Sequence, residues 1–179
     1  MKLSLLTTIA CLFLGTASML YAQGTYDPEK KLADMGITLV PKGPGASNIV
    51  PAVRTGNLVF LSGHGPMQAD GTNMTGKLGA DLTVAQGREA ARLTGIQLLN
   101  ALKYEIGDLK KVKRIVKVLG MVNSTPDFVE SPAVIHGFTD FMVEVFGPER
   151  GKHARSAVGM VSLPGGIAVE IEMIVEVED

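Results

Sequence analysis

His153-Ala154-Arg155-Ser156-Ala157-Val158-Gly159, then Leu163-Pro164-Gly165-Gly166, then Ala168-Val169-Glu170-Ile171-Glu172 close the chain with an arginine in one apolar run and alternating carboxylates in the next. From Ile167 onward the odd positions (Ile167, Val169, Ile171, Met173, Val175, Val177) are all apolar, while the even positions carry Glu170, Glu172, Glu176 and Glu178. A period of two marks a β-strand with one face in the core. The even face also holds Ala168 and Ile174, a mixture too polar for a core and suited to contact between copies of the chain in a symmetric oligomer. With Pro164-Gly165-Gly166 as the centre of a hairpin, Glu170 lies opposite Met160 and Arg155 falls about 15 Å further along, at about 3.3 Å per residue. If the two share a site, two subunits build it.

Working outward, Val50 to Ser62 reads as two strands around a turn at Arg54-Thr55-Gly56-Asn57, with Leu58-Val59-Phe60-Leu61 buried on both faces and Gly63-His64-Gly65-Pro66 ending the pairing. Gln68 to Asp81 reads as a glycine-rich, mobile surface loop. Thr83-Val84-Ala85-Gln86 has capping-box spacing and opens a long helix whose apolar stripe includes Ala91, Leu98, Leu99 and Leu102, ending near Gly107. Val116 to Val122 is a strand. Val134 to Phe146 is a second long helix, stopped by Gly147-Pro148. The order β-β-α-β-α-β-β predicts an α+β domain: a single mixed sheet with two helices packed on one face. Tyr26 to Met35 adds a short surface helix ending at Gly36.

Lys2 is the only charge in the first 26 residues, and an apolar run from Leu3 to Leu14 precedes small residues at Ala17, Ser18 and Ala22. Residues 1–22 are expected to be a signal peptide, which implies a periplasmic or secreted protein without stable membrane association after cleavage. A polar segment over 23–48 and a folded domain over 49–179 follow. Cys11 is the only cysteine, so the exported chain is expected to use neither thiol chemistry nor disulfides. The formal net charge of −1, no tryptophan and 5% aromatics argue against a nucleic-acid surface.

Arginine grips carboxylates through two parallel charge-assisted hydrogen bonds, so Arg155 near a proton-handling glutamate suggests a site for a small anionic metabolite. The competing reading is a structural salt bridge at Arg155 and a solvated carboxylate face. His64, His136 and His153 have no metal-ligand spacing, and no metal is expected. His64, flanked by glycines after a buried strand, sits where loops meet ligands, or is an exposed turn residue. Gly71 to Lys77 has phosphate-loop spacing, but Leu78 stands where a hydroxyl must hold Mg²⁺, so it reads as a plain loop. Lys110, Lys111, Lys113, Arg114 and Lys117 read as a solvated edge.

Asn57-Leu58-Val59-Phe60-Leu61-Ser62-Gly63, Val116 to Asn123, His153 to Val158, Leu163-Pro164 and Val169-Glu170-Ile171-Glu172 resemble the Rid family of reactive-intermediate deaminases, also known as endoribonuclease L-PSP or chorismate-mutase-like domains. The pattern is most similar to a less characterised branch with an Ala-Arg-Ser-Ala-Val-Gly signature. The resemblance spans about Val50 to Val177. It implies a homotrimer with sites between subunits. It assigns Arg155 to the substrate carboxylate, Glu170 to the attacking water, and Ser62 and Gly63 to the pocket wall, with His64 and His136 beside them. Where the family's deaminases commonly carry tyrosine, asparagine, cysteine and glutamine, this chain has Ile49, His136, Ala157 and His64. The implied activity is hydrolysis of 2-imino or enamino acids to 2-keto acids and ammonia. It needs no cofactor, because the imine carbon is already electrophilic. The alternative is a trimer that binds a small carboxylate without turnover; a ribonuclease is implied by family labels alone.

Overall fold

The computed structural model describes residues 26–46 and 48–178. The expected signal peptide lies outside the described residues. The elements are α1 (Pro28–Asp34), β1 (Ala52–Thr55), β2 (Leu58–His64), α2 (Val84–Ile106), β3 (Val112–Asn123), α3 (Ser131–Gly151), β4 (Ala154–Met160) and β5 (Val169–Val177). They form one mixed five-stranded sheet in the order β1-β2-β5-β3-β4, with α2 and α3 on one face. No described helix is long and apolar enough to cross a membrane.

β5 occupies the centre, antiparallel to β2 on one side and β3 on the other. Its odd positions, Val169 to Val177, are all buried against the helices, and the alternation read from sequence holds. Leu58 to Leu61, in contrast, is not covered on both faces. Val59 and Leu61 point into the core, while Phe60 is 42% exposed on the open face. β2 also runs on through Gly63 and His64 rather than ending before them, with its pairing shifted between Leu61 and His64. That shift inserts an extra residue, the mark of a β-bulge, which re-aims the side chains at the strand end.

The last two strands do not form a hairpin. β4 pairs in parallel with β3, from Lys117↔Ala154 to Asn123↔Met160, and β3 separates it from β5. The reason is connectivity: α3 carries the chain from the end of β3 back to its start, so the next strand runs parallel, as a crossover requires. Ser156, Val158 and Met160 thereby lie on an edge strand. The 68–81 segment is also more than a mobile loop. Gly76 N–H bonds to Gly166 O, Leu78 N–H bonds to Asn123 O, and the Leu78 side chain is fully buried.

α2 begins with the expected capping box: Thr83 Oγ1 accepts from Gln86 N–H and Gln86 Oε1 accepts from Thr83 N–H. Gly107, at φ 80°, ends it in the left-handed region. α3 extends over Ser131–Gly151 but breaks at Gly147, where φ is 74°, ahead of Pro148. α1 rests on the domain through buried Leu32, and the Glu29 carboxylate takes the Lys103 ammonium of α2. The basic run is partitioned among partners: Lys110 pairs with Asp27, Lys113 with Glu176, and Lys117 Nζ bonds Ser156 Oγ.

α2 and α3 approach closely at Gly137, where a Cβ would lie 2.0 Å from the Arg88 carbonyl oxygen of α2. Gly137→Ala must push the helices apart and should cost about 1–3 kcal/mol. At roughly 2–4 °C per kcal/mol for a domain of this size, a melting curve should show a clear drop. An unchanged melting temperature would refute the tight crossing.

Candidate functional site

Arg155 lies on edge strand β4, level with Val118, and its side chain reaches the helix layer. Nη1 donates to Thr139 Oγ1 at 2.9 Å, and Nη2 donates to the Pro132 carbonyl at 3.3 Å. His136 Nδ1 is 3.5 Å from Nη1. Thr139, His136 and Pro132 come from the first turns of α3, so the helix N-terminal half forms one wall of the arginine's pocket. No described carboxylate pairs with Arg155, so the structural salt bridge foreseen as its alternative role is absent among the described residues. Burial disfavours its charged form, and the nearby Asp140 opposes that trend. A guanidinium has five N–H donors, so those left over by Thr139 and Pro132 remain for an anion.

Glu170 lies on the opposite face. It sits on β5 between buried Val169 and Ile171 and therefore points to the open side of the sheet. Along the shared neighbour β3, Arg155 is level with Val118 and Glu170 with Met121. Three residues along and two strands across place the two Cα atoms roughly 14 Å apart. The separation matches the hairpin estimate for a different reason: β3 lies between the strands. Within one chain the two side chains do not meet.

Gly63, in the strand end Ser62-Gly63-His64, does meet Glu170. A Cβ on Gly63 would fall 2.0 Å from Glu170 Oε1, so any larger residue there would displace the carboxylate from this position. Glu170 takes no hydrogen bond or ion pair from any described residue. Partial burial, reinforced by the Glu172 charge, pushes its carboxyl above the usual range. A partly desolvated, unpartnered carboxylate of this kind holds a proton more readily than an ordinary surface glutamate.

His64 Nδ1 is 2.8 Å from the Ser62 carbonyl. A carbonyl only accepts, so Nδ1 carries the hydrogen and Nε2 of the neutral ring is left with its lone pair. Burial holds the imidazole below its ordinary pKa, with Lys42 adding to the effect. Ser62 Oγ donates to the Pro51 carbonyl at 3.2 Å. A cleft of about 360 Å³ opens beside this strand end, lined by Ile49, Ser62, Gly63, His64, Asn73 and Asn100 among others. A second, of about 340 Å³, lies on the open sheet face between Phe60, Lys117, Leu119, Glu172 and Ile174.

The six residues singled out from sequence thus do not all converge. Gly63 meets Glu170 at one end of the open face, next to Ser62, whereas His64 is level with buried Ile171 and lines a cleft with Asn100 of α2 on the helix side. Arg155 and His136 converge on α3. Thr139 and His153 were not anticipated as site residues; the signal available was the i, i+3 placement of His136 and Thr139 on one helix face. No group of three metal-ligating side chains is found among the described residues.

This architecture defines a chorismate-mutase-like α+β domain. The family described as "YjgF/chorismate_mutase-like, putative endoribonuclease" matches residues 29–169, and the chain belongs to this family, which includes the Rid proteins. It is 43% identical to "Protein TCP17" of Trypanosoma cruzi over 83% of this chain and 92% of that protein. The crystal structure of Atu1372 from Agrobacterium tumefaciens superposes with a TM-score of 0.78 at 41% identity, covering 85% of this chain and 94% of that one. RidA from the Antarctic bacterium Psychrobacter sp. PAMC 21119 shares the fold, with a TM-score of 0.51 at 19% identity over 77% of this chain and 94% of that one.

The lowered His64 pKa carries a pH dependence. Folding excludes a proton that the unfolded imidazole binds, so the contribution is complete above the ordinary pKa of about 6.5 and is lost as pH falls through it toward the folded value. His64→Gln should therefore reduce the loss of melting temperature between about pH 7 and pH 5. An identical slope in wild type and variant would contradict the buried neutral imidazole.

Proposed function

We propose that this chain forms a homotrimer in which Arg155 of one protomer faces Glu170, Ser62 and Gly63 of the next, and that the shared cleft hydrolyses 2-imino acids to 2-keto acids and ammonia. The observation that carries the reading is a pair of charges without an ion-pair partner. An arginine held by hydroxyl and carbonyl groups and an unpartnered, partly buried glutamate lie on opposite faces of one chain, where neither can serve the other. A three-fold head-to-tail ring closes with one interface repeated and brings unlike faces together. The open face supports such a contact, since Val53 and Phe60 stand 54% and 42% exposed beside Ile174 and Leu119.

In this site Arg155 binds the substrate carboxylate and so fixes C2 against the Glu170 wall. Water adds its oxygen to C2 while Glu170 takes the water's proton. The same carboxyl returns that proton to the imine nitrogen, giving a carbinolamine, then takes the hydroxyl proton as C2=O forms and passes it to the nitrogen as the C2–N bond breaks, releasing ammonia. A glutamate whose pKa is raised by burial is suited to both halves of that exchange. Export to the periplasm or beyond remains part of this proposal, resting on residues 1–22.

Arg155→Ala should lower kcat/KM for an imine generated from a 2-amino acid by roughly tenfold to hundredfold, the worth of one lost charge-assisted contact. Glu170→Gln should reduce kcat with little change in KM. Light scattering on both variants should give the wild-type trimer mass. Full turnover by Arg155→Ala, or a monomeric wild type, would sink the assignment. Binding of 2-keto acids by wild type with no imine turnover would select the binding-only reading.

A further inference from the structure

A guanidinium on a long, flexible side chain grips a carboxylate well only when its fork is held in place. At the C-terminus of α3 the carbonyl of Gly151, its last residue, accepts from His153 Nδ1 at 2.7 Å. A carbonyl has no hydrogen to give, so this contact fixes the His153 tautomer: Nδ1 is protonated and Nε2 carries the lone pair. The ring is clamped edge-on against Phe138, centroids 5.8 Å apart. Burial, together with the Arg155 charge, lowers the imidazole pKa and keeps the ring neutral. Nε2 lies 3.3 Å from Thr139 Oγ1 and can only accept, so the Thr139 hydroxyl hydrogen is committed to it. The hydroxyl's lone pairs then face Arg155, whose Nη1 donates to them at 2.9 Å. Every donor and acceptor in this chain follows from the one group whose role is not negotiable, the Gly151 carbonyl.

We propose that Thr139 and His153 are positioning residues for carboxylate recognition, a one-way hydrogen-bond relay from Gly151 through His153 and Thr139 that presets the Arg155 fork. Nη1 is held by the hydroxyl and Nη2 by the Pro132 carbonyl, both on α3. The fork is thereby held against the helix, with His136 Nδ1 3.5 Å from Nη1 beside it. Preorganisation of this kind lowers the ordering cost of binding and leaves the chemical step alone. The inference rests on Arg155 being the carboxylate clamp.

Its test is calorimetric titration of the trimer with 2-oxobutanoate, a stable probe of carboxylate binding, alongside steady-state imine turnover. Thr139→Val removes the hydroxyl at constant volume and should weaken 2-oxobutanoate binding roughly fivefold, the worth of one neutral hydrogen bond. KM should rise and kcat should stay within about twofold. Thr139→Ser should restore wild-type affinity. His153→Phe, which keeps the ring and its packing but has no acceptor, should match Thr139→Val and gives the same readout should valine fail to pack. The methyl ester of 2-oxobutanoate, which lacks the charge, should bind all variants alike. If Arg155→Ala abolishes binding while Thr139→Val and His153→Phe bind as wild type, the relay is wrong and the clamp stands. If Arg155→Ala binds as wild type, the clamp fails first.

Discussion

Everything at the site descends from the pairing of β5 on both edges at the centre of the sheet. A strand hydrogen-bonded on each side has no freedom to twist its faces, so alternate residues are committed to opposite sides. Val169, Ile171 and Met173 are spent on the helices, and Glu170 and Glu172 are held on the open face as a consequence. Moving the pairing by one residue would bury the carboxylates and expose the core. The catalytic candidate is therefore secured by the same constraint that secures the fold, which explains how a desolvated carboxylate without a partner is tolerated there.

The opposite logic governs Arg155. It stands on the edge strand, where one side of the backbone is unpaired, and its long side chain lies over α3. Edge strands are accessible to a second chain, whereas central ones are not. A glutamate at the sheet centre and an arginine at its margin, on opposite faces, form a poor arrangement for a single-chain site and a good one for a repeated interface. The glycine at position 63 belongs to the same design: it yields the volume that lets the glutamate sit beside the bulged end of β2.

The two histidines that flank these groups differ in role although burial lowers the pKa of both. His64 and His153 each fix a tautomer by donating Nδ1–H to a carbonyl two residues earlier. In His64 the free nitrogen belongs to a cleft. In His153 it belongs to Thr139 and, through it, to Arg155. A local i, i−2 contact thus sets the chemistry of a longer-range one in both places.

Sequence periodicity was enough to show the strand character of 169–177, the buried odd face, the two long helices and the Thr83 cap, because each depends on residues a few positions apart. It marked Arg155 and Glu170 as a separated charged pair, but measured the separation on a β4–β5 hairpin that the sheet order does not contain. It could not show that β4 runs parallel to β3, since strand partners are chosen by crossover geometry over α3 and not by local pattern. It read Leu58–Leu61 as doubly buried because an exposed Phe60 and a core phenylalanine look alike in composition. It passed over Thr139 and His153 because their contacts with Arg155 join a helix to an edge strand. Amino-acid order determined which faces are apolar and which residues carry charge. Only the tertiary structure decided which of those charges share a space, because proximity across a sheet is set by pairing and packing, not by position along the chain.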